Sequence, residues 1–189
     1  VISGAEAMPL AIKELFDSLT KNAKLLEGYG ITECAPILSA NPVDRQKMNS
    51  VGKFIPGVEH LIIDLETGKQ ALTGQSGMIY VRGKNVFHGY LGEETINPFE
   101  EINGKTYYKT GDLGYMDEDG YLFITGRLKR FIKITGEMIS LPFIEKILLE
   151  KYGNQEKQVL AVEGSDKTTP AQFVVFTTLF INLDERNEY

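Results

Sequence analysis

Two dipeptides, Asn103-Gly104 and Asp119-Gly120, constrain the fold of this 189-residue chain more than anything else in it. Asn or Asp followed by Gly tolerates the positive φ that a tight β-hairpin turn demands, so each pair marks a reversal between antiparallel strands. The runs around them are short and β-branched or aromatic: Leu61-Ile62-Ile63, Met78-Ile79-Tyr80-Val81, Thr106-Tyr107-Tyr108 and Tyr121-Leu122-Phe123-Ile124. From Ser50 onward this pattern predicts a small antiparallel barrel or distorted sheet.

Helical spacing lies on either side of the strands. Leu10, Ile12, Leu15, Phe16 and Leu19 recur at close to helical period within Pro9 to Ala23, with Pro9 suited to a first turn. Leu25 and Leu26 read as a short buried strand that delivers Gly28-Tyr29-Gly30, and Asn41 to Asn49 as a linker. After Arg127 the expected order is a strand at Phe131-Ile132-Lys133-Ile134, a helix from Ser140 to Tyr152 with Ile144, Ile147 and Leu148 on one stripe, then strands at Gln158 to Val162 and Gln172 to Phe180. That second unit is a small α+β layer, with the boundary near Leu128 and Lys129. Val1-Ile2-Ser3-Gly4 reads as a strand entering a turn. Leu183 to Tyr189 reads as the first turns of a helix, acidic at the end its dipole favours. Both ends look cut.

Composition excludes several functions. A net charge of −6 offers no basic face for phosphate backbones, so nucleic acid is not the expected partner. One cysteine excludes an intramolecular disulfide. Apolar runs such as Phe173-Val174-Val175-Phe176 are too short to span a bilayer, and no signal peptide opens the chain, so a cytoplasmic protein is expected.

Chemistry concentrates in two stretches. In Gly28-Tyr29-Gly30-Ile31-Thr32-Glu33, Thr32 offers a hydroxyl for a phosphate and Glu33 a hard oxygen ligand for Mg²⁺. In Thr110-Gly111-Asp112, Asp112 can accept from both hydroxyls of a ribose, and Gly126-Arg127-Leu128-Lys129 adds the fixed-fork donor Arg127. The dull readings are a strand-to-helix turn for the first and a hairpin turn with a capping Asp for the second. The Tyr29 ring can cover an adenine or pack in the core, and Arg127 can reach a ribose or close a surface ion pair. Cys34 reads as a small buried apolar group.

In this order and spacing the motifs resemble the adenylate-forming superfamily of acyl-CoA synthetases, luciferases and peptide-synthetase adenylation domains. Leu25 to Pro36 and Gly136-Glu137-Met138-Ile139-Ser140-Leu141 are similar to the acyl-acyl carrier protein synthetase branch, which is often fused to 2-acylglycerophosphoethanolamine acyltransferase. The resemblance implies an α+β fold. Residues 1–127 would end the large AMP-binding domain, with nucleotide-binding loops and a helix in 1–45 and a β-barrel-like subdomain in 46–127. Residues 128–189 would form a truncated, mobile C-terminal lid domain. Gly4, Ala5 and Glu6 match the loop that lies along the adenine. Gly28, Tyr29, Gly30, Thr32, Asp112 and Arg127 complete the nucleotide site, with Glu33 as the Mg²⁺ ligand. Lys129 falls at the hinge and Gly136 on the loop that enters for thioester formation. Lys133 aligns with a lysine that serves some relatives in the second half-reaction, though on its strand it can equally extend to solvent. The family's phosphate loop would precede Val1 and its catalytic lysine would follow Tyr189, so the chain resembles a fragment that is inactive by itself.

The implied whole enzyme uses ATP and Mg²⁺ to activate a fatty acid, and transfers the acyl group to acyl carrier protein or CoA. A lysophospholipid at the membrane surface is a further partner in the branch, and membrane association a further location. An adenylation domain for aryl or amino acids and a non-catalytic docking module are the alternatives. Leu141 and Phe143 replace a proline and a glutamate common in the superfamily, and the carrier-protein branch resembles this chain in having leucine at the first of these. Two further patterns are decoys. Gly104-Lys105-Thr106 lacks the earlier glycine of a phosphate loop, which is Phe99 here. Asp117-Glu118-Asp119-Gly120 lacks the bidentate Glu of a calcium loop, where Gly126 stands. His60 and His88 have no ligand-spaced partners in the sequence.

Overall fold

The computed structural model describes residues 1–92, 97–134, 137–152, 160–165 and 172–178. The chain is α+β, dominated by antiparallel strands, and forms two compact units, Val1–Thr125 and Gly126–Tyr189.

The first unit carries two sheets. One has the order β1 (Ile2–Ser3), β2 (Leu26–Gly30), β3 (Ile37–Ala40) and β4 (Lys53–Phe54). The other runs β5 (Glu59–Ile63), β6 (Gly77–Arg82), β8 (Lys105–Met116) and β7 (Phe99–Ile102), with β9 (Leu122–Arg127) also paired to β8. The expected hairpin at Asn103-Gly104 is present: φ is +53° at Asn103 and +72° at Gly104, and Ile102 stands opposite Lys105. At Asp119-Gly120 the Gly120 N–H returns to the Asp117 carbonyl, and Asp117 and Tyr121 close the reversal.

The two sheets share a core. Cys34, Leu38, Ile62, Ile79, Val81, Tyr108 and Leu122 form one buried cluster, so residues of both sheets leave water together. The 41–49 linker is held over this core by polar contacts. Asn41, itself buried, donates from Nδ2 to the Ser50 carbonyl at 2.6 Å, and Lys47 pairs with Asp117 and Asp119.

Helix α1 spans Leu10–Leu19, with the Pro9 carbonyl accepting from the amides of Ile12 and Lys13. Its apolar spacing is as read, yet none of its residues is buried, and Leu10, Ile12, Leu15 and Leu19 are exposed. Periodicity therefore located the helix without determining what covers it.

The second unit pairs β10 (Phe131–Ile134) with β11 (Glu137–Ser140), continues into α2 (Leu141–Tyr152), and pairs β12 (Leu160–Ser165) with β13 (Gln172–Thr177). Ile132, Leu141, Leu160 and Val162 are its buried core, with Ile144 and Leu148 packed against them. Ile147 is exposed, because at 3.6 residues per turn it falls off the 141–144–148 face. The stripe read from the sequence is corrected at that residue. Glu137–Ser140 is a strand where the sequence suggested a loop running into a helix at Ser140, and the helix starts at Leu141 instead. The helix read at Leu183 to Tyr189 lies outside the described residues.

Candidate active site

The site in the first unit is built on β1, β2 and β8. β1 runs parallel to β2, pairing Ile2 with Leu26 and Ser3 with Glu27, which brings Gly4 beside Gly28. An added Cβ at Gly4 would stand 3.1 Å from the Gly28 carbonyl oxygen. Ala5 follows with φ +76°, so the chain turns sharply there, and Glu6 is exposed.

At the other end of β2 the backbone enters a 3₁₀ turn, Thr32–Cys34, closed by the Ile31 amide on the Pro36 carbonyl at 2.8 Å. The turn presents Thr32 to solvent and leaves Glu33 half-buried, while Cys34 points into the core. Burial, aided by the Glu33 charge, pushes the Cys34 thiol up to about 11, so it is an apolar filler rather than a nucleophile.

Thr110-Gly111-Asp112 is not a hairpin turn. It lies inside β8 as a bulge. Met78 on β6 opposes Leu113 while Tyr80 opposes Lys109, so β8 carries two extra residues across from Ile79. Gly111 takes φ +78° within it, and the Thr110 hydroxyl pins it by donating to the Ile79 carbonyl at 2.8 Å and accepting from the Asp112 amide at 3.1 Å. Bulges re-aim side chains beside functional sites. Here the re-aimed side chain is Asp112, which is buried at 4% exposure, and the Tyr29 hydroxyl donates to its Oδ2 at 2.7 Å. Burial and then the Asp112 charge raise Tyr29 above the ordinary tyrosine range, so its hydroxyl stays a donor. Of the two roles open to Tyr29 in the sequence, its ring packs against the core and its hydroxyl meets the carboxylate.

The structure thus joins Gly4, Gly28, Tyr29 and Asp112, with Gly30, Thr32 and Glu33 on the continuation of β2. In the second unit Arg127 ends β9 and is exposed, Lys129 is exposed on the 3₁₀ turn Leu128–Arg130, and Lys133 is exposed on β10 opposite Met138. Lys133 therefore extends away from the Ile132 core, as alternation along a strand requires. Gly136 lies outside the described residues.

Spacing along the chain missed the segment after β6. Asn85 donates from Nδ2 to the Cys34 carbonyl at 2.8 Å, the Phe87 amide donates to the Glu33 carbonyl at 2.8 Å, and the Tyr90 hydroxyl donates to Glu33 Oε1 at 2.5 Å. Its one local sign was Gly89-Tyr90-Leu91-Gly92, an aromatic between two glycines, which says nothing about position 33.

A sequence profile of the family described as AMP-binding enzyme matches residues 1–91. The chain belongs to the adenylate-forming superfamily. It is 36% identical to the mouse medium-chain acyl-CoA ligase ACSF2, mitochondrial, over 86% of this chain and 27% of that protein. It is 33% identical to the probable 4-coumarate–CoA ligase 2 of Dictyostelium discoideum, over 93% of this chain and 32% of that protein. Among solved structures, ATP-bound MatB from Rhodopseudomonas palustris matches with a TM-score of 0.69 and 33% identity, over 92% of this chain and 34% of that one. The chain spans about a third of the length of these relatives.

Mg²⁺ is the metal that such chemistry implies. Among the described residues no group of three or more His, Cys, Asp or Glu gathers to form a protein cage. Mg²⁺ keeps several waters and takes one or two carboxylates together with substrate phosphates, so a single half-buried Glu33 fits it. No helix among the described residues is long and apolar enough to cross a membrane.

Proposed function

We propose that the protein carrying this chain is an AMP-forming acid–thiol ligase that activates a fatty acid as its acyl-adenylate and passes the acyl group to a thiol. The observation that carries the reading is the Tyr29–Asp112 contact, which joins two motifs 83 residues apart into one cradle. The ATP ribose hydroxyls would donate to the Asp112 carboxylate, with the Gly4-Ala5-Glu6 turn and Gly28-Tyr29-Gly30 bordering the adenine. The Thr32 hydroxyl would donate to a phosphate oxygen, and Glu33 would hold Mg²⁺. When bound, Mg²⁺ would offset the negative charge of the phosphates. The carboxylate of the acid attacks the α-phosphorus, its new O–P bond replaces the bond to the leaving oxygen, and pyrophosphate departs. Positioning and electrostatics are the protein's levers in such transfers.

The second half-reaction assigns roles to the second unit. Arg130, next to Lys129, is anchored there by Glu145 at 2.6 Å and Glu163 at 3.2 Å, so a pivot at Lys129 would swing a body that Arg130 already belongs to. Residues 128–189 act as the lid in this reading and residues 1–127 end the large domain. Arg127 would supply a donor to the ribose, beside the Asp112 acceptor, and Lys133 and Gly136 would approach the adenylate for thioester formation. The accepting thiol is that of acyl carrier protein or CoA. Leu141 favours the carrier-protein branch, in which a lysophospholipid at the membrane surface receives the acyl group next. A cytoplasmic enzyme with that membrane contact follows from the same branch. The similarity to a 4-coumarate–CoA ligase supports a second reading, activation of an aryl acid.

The deciding experiment is acid-dependent ATP–pyrophosphate exchange in a protein of the relatives' length carrying this chain, offered long-chain fatty acids, aryl acids and amino acids in parallel. Exchange with fatty acids supports the first reading, and exchange with aryl acids alone replaces it with the second. No exchange with any acid sinks both. The chain by itself is expected to bind adenosine nucleotides weakly. Asp112→Ala abolishes that binding in a calorimetric titration, and robust affinity in the variant would refute the ribose role.

A further inference from the structure

Tyr90 emerges as a residue with a task of its own, and the role inferred for it rests on the ligase reading above. We propose that Tyr90 is a positioning residue that presets the Glu33 carboxylate for a nucleotide-bound divalent cation. Glu33 is held at two points by one stretch of chain. The Phe87 amide donates to its backbone carbonyl at 2.8 Å, and the Tyr90 hydroxyl donates to its Oε1 at 2.5 Å. Main chain and side-chain tip are fixed together, so the rotamers between them are restricted.

The stretch that does this is itself rigidly placed. Asn85 ties it to the carbonyl of Cys34, the last residue of the Thr32–Cys34 turn, at 2.8 Å and to that of Ile37, the first of β3, at 3.3 Å. The Phe87 ring packs edge-on against Tyr90 with centroids 4.8 Å apart and against Tyr108 at 5.3 Å, and Tyr108 and Phe99 meet at 5.7 Å. Tyr108 is core, so the ring cluster runs from the buried sheet to the residue that holds the carboxylate.

One oxygen of Glu33 is thereby used and, among the described residues, no hydrogen bond or ion pair engages the other. A Mg²⁺ that rides on substrate phosphates needs one such oxygen, pointing in a settled direction. Fixing a free glutamate on binding costs rotamer entropy equivalent to about tenfold in affinity, a cost the hydroxyl removes in advance.

The test uses a protein of the relatives' length carrying this chain, with Mn²⁺ as the spectroscopic probe. Free Mn²⁺ is titrated by electron paramagnetic resonance at saturating ATP in four forms: unaltered, Tyr90→Phe, Glu33→Gln and the double variant. Tyr90 is half-exposed, and Phe keeps its ring contact with Phe87, so the single variant should melt close to the unaltered protein. Tyr90→Phe is expected to weaken Mn²⁺ about tenfold, with metal-free ATP affinity and the KM for the acid unchanged. In the Glu33→Gln background the same change is expected to cost little more, since its effect passes through Glu33. Unchanged Mn²⁺ binding in Tyr90→Phe, or an equal loss in both backgrounds, overturns the positioning role and leaves the ligase reading standing. An unaltered protein that binds no Mn²⁺–ATP and exchanges no pyrophosphate overturns the ligase reading, and the positioning role with it.

Discussion

Gly30→Ala tests how tightly β2 is coupled to the turn that carries Thr32 and Glu33. The added Cβ would stand 2.0 Å from the Pro36 carbonyl oxygen and 2.7 Å from its carbon. Both are backbone atoms and cannot rotate aside. That oxygen also accepts the Ile31 amide at 2.8 Å, the bond that closes the turn. Relieving the clash therefore costs overpacking strain of roughly 1–3 kcal/mol and one backbone hydrogen bond of about 1 kcal/mol. A total of about 3 kcal/mol corresponds to a fall in Tm of roughly 10 °C for a unit of this size. Gly57→Ala is the control: its φ is +90°, but its Cβ would meet nothing within 4 Å, so only the left-handed backbone strain of about 1 kcal/mol remains. Thermal melts of the chain followed by tyrosine near-ultraviolet dichroism compare the two. If Gly30→Ala melts no lower than Gly57→Ala, the close approach at Pro36 does not constrain the turn and the argument fails.

Three further outcomes are expected. His60 stacks on Phe54 with ring centroids 4.0 Å apart, and burial lowers its pKa from the ordinary 6.5. The unfolded chain therefore binds that proton more readily, and the stability contributed by neutral His60 is complete above about pH 6.5 and lost as pH falls through the lower folded value. His60→Phe should flatten the fall in Tm between pH 7.5 and 5.5, and an unchanged slope would assign it to other groups. In the second unit, Glu145 accepts from Arg130 at 2.6 Å and from the Val162 amide at 2.8 Å, so Glu145→Ala should cost about 2 kcal/mol in urea unfolding. Glu163→Ala, at an exposed ion pair, should cost near zero, and equal losses would refute that ranking. Cys34, buried with its thiol pushed up to about 11, should resist a thiol reagent at pH 8 until the chain is unfolded in urea. Prompt labelling of the folded chain would contradict its placement.

Much of this molecule could be read from the chain itself because the deciding physics is local. Asn103-Gly104 takes positive φ at both residues wherever it reverses a hairpin, and the apolar spacing of Leu10 to Leu19 is a property of the helix alone. The donor and acceptor chemistry of Thr32, Glu33, Asp112 and Arg127 likewise belongs to each side chain. Tertiary structure decided what depends on partners far along the chain. Thr110-Gly111-Asp112 is a bulge rather than a turn because Met78 and Tyr80 determine how many residues of β8 must pass Ile79. Glu137–Ser140 becomes a strand because β10 supplies its hydrogen bonds. Glu33 meets Tyr90, 57 residues away, because Phe87 is anchored among Phe99 and Tyr108. Turn conformation and helical period are written into neighbouring residues, whereas register and ring packing exist only between strands already brought together.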